Sequence, residues 1–239
     1  MRGLLLNHEC HMWHGVLQKT KTQTRRNSTA LTEVNNDPDN YKLEITEFKD
    51  GKLHAWFKHP TTGKLNLSKS RHAVNDIVYL QEPTLNLCPH VTDTDSFCYQ
   101  YPDINGNTDL DAFKALIEAA IKKGAEWDNK YFMPEKLARY HVQITNIKIE
   151  RLADISAEDC FLEGIKKIDH PYSRPTIEKG GVRNTNVQHS TQYYYTHNNV
   201  KVFFNTAQEA YFSLLKKVGT TTDHPNPWLF AYDFKLVKI

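Results

Sequence analysis

Short strand-like segments, interrupted by only a few amphipathic helices, are the feature that most limits the folds open to this chain. The clearest is the run 140–151, in which apolar residues alternate with polar neighbours as in a half-exposed strand. Residues 42–48 and 53–58 flank Asp50-Gly51, and an Asp-Gly pair between two such runs predicts a β-hairpin. Further strands are predicted at 3–6, 77–82, 97–101 and 228–237.

Helices are predicted where apolar residues recur at helical spacing and capping residues mark the ends. The four segments are 8–18, 108–124, 156–164 and 206–215. Residues 166–200 contain two prolines, a Gly-Gly pair and no sustained period, which predicts a long loop or flap. Short strands with few helices favour an α+β protein built on a small barrel or strongly bent sheet, as one elaborated domain over residues 1–239.

The composition excludes several classes of protein. A net charge of +2 over 239 residues gives no support for wrapping long duplex nucleic acid, so any nucleic-acid contact is expected to be local. The four cysteines form no CxxC pair, which argues against a disulfide framework or a zinc ribbon and favours a reducing cytoplasm. The apolar run Leu4-Leu5-Leu6 is too short for a signal peptide or a membrane span, so we expect a cytosolic protein with no membrane partner.

Residues 15–26 form a basic segment directly after the first predicted helix, with four cations and three threonines. In a functional interpretation, the segment is a loop in which Lys21, Arg25 and Arg26 hold a phosphate or a polarised carbonyl, while a threonine hydroxyl supplies a hydrogen bond or a nucleophile. In the alternative interpretation, the segment is a solvated basic turn.

Other candidate groups are carboxylates and aromatic rings. Glu163 falls in the last turn of a short helix, where the helix dipole disfavours negative charge, so it is either functional or simply exposed. Glu82 ends a predicted strand and suits a functional or a structural role. The run Tyr193-Tyr194-Tyr195 is able to stack on bases, or it packs as an ordinary loop. The histidines between His8 and His14 lack an obvious third ligand, so we predict no metal site and no cofactor.

Several segments of the sequence resemble the ASCH family, in particular its long type from bacteriophages and prophages. The similar segments, in chain order, are Lys21-Thr22-Gln23-Thr24-Arg25-Arg26, residues 75–82, residues 133–139, residues 147–165 and residues 226–234. The resemblance implies a PUA-like small β-barrel with flanking helices, large loop insertions at about 27–70, 84–130 and 166–200, and a cleft for RNA or a modified nucleoside.

The resemblance also implies site residues. A small bacterial branch of the family hydrolyses the acyl amide of N4-acetylcytidine with a lysine, a threonine and a glutamate, which fall on Lys21, Thr24 and Glu163. Ligand contacts are then expected from Thr22, Arg25, Arg26 and Glu82. In an extended strand Lys21 and Thr24 would point to opposite faces, so catalysis requires a turn that brings them together.

The sequence is compatible with two functions. The first is recognition of nucleic acid or a modified nucleoside, with hydrolysis of N4-acylated cytidine as its sharper form. The second is a non-enzymatic RNA-binding or interaction module, such as a phage accessory protein. Both place the chain in the cytoplasm of a bacterial host cell.

Overall fold

The computed structural model describes residues 3–5, 12–82, 84–86, 97–99, 110–128, 133–177, 183–197, 200–218 and 224–238. Within these residues the strands are β1 Gly3–Leu5, β2 Gln23–Arg26, β3 Lys42–Lys49, β4 Lys52–Lys58, β5 Leu65–Lys69, β6 Ile77–Gln81, β7 Thr84–Asn86, β8 Phe97–Tyr99, β9 Trp127–Asp128, β10 His141–Arg151, β11 Lys166–Ile177, β12 Arg183–His197, β13 Val200–Phe204 and β14 Trp228–Val237. The α-helices are α1 Met12–Leu17, α2 Thr32–Asn36, α3 Leu110–Lys122, α4 Ala157–Leu162 and α5 Ala207–Lys217. The mostly antiparallel sheets and few helices confirm the α+β class; no closed barrel is found among the described residues.

The chain divides into two compact units, each built from segments distant in sequence. The first unit comprises Met1–Leu6, Val74–Thr145 and Phe234–Ile239. In it β1 runs parallel to β6, β6 is antiparallel to β10, and β7 lies between β8 and β9. Its buried core includes Val78, Leu80, Val142 and Ile144. The prediction of a single domain stays a prediction.

The second unit comprises Asn7–Ala73 and Asn146–Asp233, and it contains the basic segment. Strand β2 pairs with β14, and two three-stranded sheets have the orders β3-β4-β5 and β11-β12-β13. The β3–β4 hairpin is confirmed: Asp50 (φ 52°) and Gly51 (φ 72°) both adopt the left-handed conformation that a tight two-residue turn requires. Helix α5 begins with the complete capping box of Thr206 and Glu209.

The prediction of a loop or flap at 166–200 is wrong for its described residues. Strands β11 and β12 pair continuously, from Lys166 opposite Tyr194 to Ile177 opposite Arg183. The prediction failed because it relied on side-chain period, whereas backbone hydrogen bonds between strands do not depend on it. The two prolines are compatible with this arrangement because β11 is an edge strand of its sheet.

The basic segment is also less irregular than expected. Residues 23–26 form β2, with Thr24 opposite Tyr232 and Arg25 opposite Ala231 in β14. The loop prediction is therefore wrong for these four residues, because pairing with β14 holds them extended. Among the described residues, none of the helices combines the length and hydropathy needed to cross a bilayer.

Candidate functional site

The backbone after α1 turns sharply and places Lys21 against the end of α4. Lys19 adopts a positive φ of 57°, and the amides of Thr20 and Lys21 both donate to the Gly15 carbonyl, at 2.9 and 3.0 Å. The next amide, of Thr22, donates to the Leu162 carbonyl at 2.9 Å. This helix-ending geometry satisfies free carbonyls of both helices and joins two segments that are far apart in the sequence.

Two glycines flank the aliphatic part of Lys21. A Cβ on Gly15 would lie 3.0 Å from the Lys21 Cβ, which is too close without a shift. A Cβ on Gly164 would lie 3.8 Å from the same atom, and Gly164 has a φ of +104° that other residues rarely adopt. Glycine at position 15 therefore leaves room for the lysine side chain, whereas position 164 favours glycine because of its backbone conformation.

The Lys21 ammonium is buried and uses all three of its N–H donors. Nζ donates to Glu163 Oε2 at 2.6 Å, to the Glu163 carbonyl at 2.9 Å and to the Gln23 carbonyl at 2.8 Å. Burial lowers the pKa of Lys21, and the Glu163 carboxylate opposes this change. Three acceptors around one nitrogen match the geometry of a charged ammonium.

Glu163 connects the two central cations. It caps the C-terminus of α4 and is buried, with 1% of its surface exposed, so the exposed alternative does not hold. Its second oxygen, Oε1, accepts from Arg25 at 3.1 Å. The two cations offset the unfavourable dipole at this helix end, which is why a carboxylate is stable there.

Arg25 is held on all sides by acceptors. Its guanidinium donates to Glu150 through Nε at 2.6 Å, to Gln23 Oε1 at 2.6 Å and to Asp159 Oδ2 at 3.0 Å, besides Glu163. Burial opposes its charge, but Glu163 and Glu150 outweigh this effect and raise the pKa of Arg25. Arg25 therefore organises the cluster rather than presenting free donors to a ligand.

A second layer surrounds this centre. Lys148 donates to Asp159 at 2.6 Å and lies 3.4 Å from Glu150. The Tyr211 ring lies 5.8 Å from the Arg25 guanidinium. Its buried hydroxyl has no well-aligned hydrogen-bond partner among the described residues, while Glu163 and Arg25 lie close enough to affect its pKa, which burial raises strongly.

Sequence analysis did not identify Asp159, Lys148 or Glu150, although two signals for them exist. Asp159 and Glu163 are four residues apart, so they share one face of α4. Lys148 and Glu150 are two residues apart in a strand and share one face of β10. The three carboxylates of these pairs, Glu150, Asp159 and Glu163, form ion pairs with Arg25, and only the tertiary structure shows this.

A pocket of about 150 Å³ opens beside the Lys21–Glu163 ion pair. Met12 and Leu214 contribute apolar surface to it, and Thr20, Lys166 and Thr196 contribute polar surface. Its volume is close to that of cavities that hold a single six-membered ring.

The other predicted catalytic and ligand-binding residues do not line this pocket. Thr24 is buried and, by the alternation of β2, points to the face opposite Gln23 and Arg25. It does not line the pocket, and no turn brings its hydroxyl to Lys21. Arg26 shares the face of Thr24 and is partly exposed.

Thr22 and Glu82 are placed by other contacts. Thr22 is partly exposed beside Lys21 and is anchored through its amide to α4. Glu82 belongs to the first unit, where it is fully buried and forms a two-pronged ion pair with Arg139. This pairing supports the structural interpretation of Glu82.

No protein-family model, curated protein or solved structure matches this chain. The resemblance to the ASCH family therefore stays a prediction that depends on the motifs. Among the described residues, no group of three or more histidine, cysteine, aspartate or glutamate side chains is arranged to hold a metal ion. Residues 8–11 lie outside the described part of the chain.

Proposed function

We propose that this chain is an ASCH-like protein, related to the PUA fold, whose pocket binds the base of a modified pyrimidine nucleoside, free or within RNA. The observation that carries the proposal is the buried Lys21–Glu163 pair, 2.6 Å between Nζ and Oε2, in the wall of a pocket sized for one six-membered ring.

The pocket chemistry suits a cytosine that carries an acyl group on N4. Met12 and Leu214 provide apolar contact for a ring or a methyl group. A carboxylate has about four acceptor positions, and Lys21 and Arg25 occupy two on Glu163, so the carboxylate retains capacity for an exocyclic N–H. The exposed Lys166 at the pocket provides a donor for an acyl or ring oxygen.

Binding is tested by titration calorimetry with N4-acetylcytidine and cytidine. Lys166→Gln should weaken binding about 10-fold or more, since a charged hydrogen bond contributes about 1.5–3 kcal/mol. Lys167→Gln is the matched control, because Lys167 is the exposed neighbour on the same strand and does not line the pocket. Equal affinities for both variants and the wild type would contradict the assignment of the pocket.

Hydrolysis of the N4-acyl amide is a second candidate function, favoured by the position of the Lys21–Glu163 pair at the pocket. Water would attack the acyl carbon, and the bond between the acyl carbon and N4 would break. The products would be a carboxylate and cytidine. Glu163 would carry a proton from water to N4, and the Lys166 ammonium would stabilise the acyl oxygen. A covalent route through Thr24 requires its hydroxyl to reach the pocket; direct attack by water does not.

Chromatography of the nucleosides distinguishes these routes. The hydrolytic proposal predicts cytidine formation by the wild type and a loss of at least about 100-fold in Glu163→Gln, with folding verified by circular dichroism. Retained turnover in Thr24→Val would favour water as the nucleophile, and lost turnover would favour Thr24. No cytidine from the wild type would refute hydrolysis and leave a binding protein.

A further inference from the structure

One face of the β11-β12-β13 sheet carries a row of one cation and two aromatic rings. Lys166, Tyr194 and Phe203 are register partners across the three strands, so their side chains emerge on the same face. We call this the outer face. Lys166 is exposed, Tyr194 is half-buried, and Phe203 is 43% exposed despite its large apolar ring.

The opposite face of the same sheet is covered by helices. Tyr193 stacks on Phe161 of α4 with ring centroids 6.1 Å apart, and the Tyr195 hydroxyl lies 3.0 Å from Ser213 Oγ in α5. Because side chains alternate along β12, Tyr194 cannot share this packing. The aromatic surface of the outer face is therefore not needed to hold the helices in place.

Charge on the outer face is positive among its described residues. Lys201 lies on this face, with Nζ 4.9 Å from the centroid of the Tyr194 ring. Asp169, the carboxylate of β11, pairs with Thr191 on the other face. Lys166 and Lys201 thus flank the two rings, and no carboxylate of the described residues shares the row.

The outer face and the pocket share two residues at the end of the sheet where β11 begins, and Tyr195 of the opposite face lines the pocket as well. Lys166 and Thr196 belong to the outer face by register, and both also line the pocket. The row from Lys166 to Phe203 spans two strand spacings, about 10 Å. A chain that leaves the pocket at Lys166 would pass directly over Tyr194.

We propose that the outer face binds a single-stranded nucleic acid segment, whose bases stack on Phe203 and Tyr194 and whose phosphates lie against Lys166 and Lys201. Rings that accept any base, beside cations that follow the backbone, are the combination that recognises unpaired strands. The inference extends the proposed function in one respect: it makes the natural ligand a strand that delivers one base to the pocket.

The test is fluorescence anisotropy with a labelled uridine oligonucleotide of about twelve nucleotides, its DNA equivalent and a hairpin duplex. Phe203→Leu keeps an apolar side chain but removes the ring, and it should weaken single-strand binding about 10-fold. Val200→Ala is the matched control, since Val200 is 64% exposed on the same strand but points to the opposite face. Lys201→Gln should reduce the slope of log affinity against log salt by about 0.7.

The outcomes separate this inference from the proposed function. Strand binding that depends on Phe203 supports the inference even if free N4-acetylcytidine does not bind, a result that would refute only the pocket. Unchanged strand affinity in Phe203→Leu, or stronger binding of duplex than of single strands, would overturn the inference while leaving nucleoside binding to the pocket intact. RNA and DNA arms that differ in affinity would show which strand is recognised.

Discussion

Substitution of Lys21 by methionine tests the arrangement on which the site depends. Methionine keeps an unbranched side chain between the two flanking glycines but removes the ammonium and its three hydrogen bonds. The change leaves one Glu163 oxygen and two backbone carbonyls without their donor in a fully buried environment. Arg25 retains its contact with the other oxygen of Glu163 at 3.1 Å.

Removing one partner of a buried ion pair typically costs about 3–5 kcal/mol. We expect Lys21→Met to lower the free energy of unfolding by this amount, which corresponds to a change of about 150-fold to 5,000-fold in the folding equilibrium. With an m-value of about 3 kcal/mol/M, the urea midpoint measured by far-ultraviolet circular dichroism should fall by about 1–1.7 M.

The double variant Lys21→Met with Glu163→Gln provides the control. Two residues in direct contact should not behave additively, so the double variant should be more stable than the sum of the single effects by about 0.5–3 kcal/mol. A Lys21→Met variant within about 0.5 kcal/mol of the wild type would refute the reasoning. Additive single effects would show that the two side chains do not interact.

Three further perturbations should give graded results. Gly164→Ala should lower the free energy of unfolding by about 1–2 kcal/mol and by more than Gly63→Ala does. Both glycines have positive φ, but Gly164 lies further from the left-handed region that other residues tolerate. Equal losses of stability in urea denaturation would contradict this prediction. Burial opposes ionisation of Asp159, but its hydrogen bond to Lys148 outweighs this effect and lowers its pKa below 3.8. At neutral pH, Lys148→Met should lower the free energy of unfolding. This difference from the wild type should shrink as the pH falls from 3.8 through the lowered pKa, because protonated Asp159 is no longer stabilised by Lys148. A difference in urea denaturation that does not change with pH would exclude this linkage. Burial raises the pKa of Cys160 to about 12, so peptide-resolved alkylation should modify it only after unfolding, and rapid labelling of the native protein would show that the thiol is accessible.

Much of the fold could be predicted from local pattern. The strand expected at 228–237 matches Trp228–Val237, and the capping residues Thr206 and Glu209 mark the start of α5 as expected. These elements are specified by alternation, by helical spacing and by short-range hydrogen bonds, all of which are visible in the sequence.

The sequence failed to predict strands β2 and β11 for different reasons. Strand β2 is only four residues long and is held extended by β14, more than two hundred residues later. Strand β11 contains prolines that read as loop signals, and only its edge position makes them acceptable. Its partner β12 follows directly in the chain, so β11 was missed because of its composition and not because of a distant partner.

The site was predicted only in part, because its contacts join segments that are distant in the chain. The motif resemblance pointed to Lys21, Arg25 and Glu163, and the structure brings these three together. The resemblance could not show that Gln23, Glu150 and Asp159 occupy the donors of Arg25. The positions of these residues follow from how β2, β10 and α4 pack together. The face of Thr24 likewise follows from the pairing of β2, which the sequence did not reveal.

A crystal structure of the protein with N4-acetylcytidine tests the central claim most directly. The proposal predicts the base in the pocket beside the Lys21–Glu163 pair, with the exocyclic N4 within hydrogen-bond distance of Glu163 and the acyl group near Lys166. A nucleoside bound elsewhere, or a pocket without nucleoside at saturating concentration, would contradict the proposal.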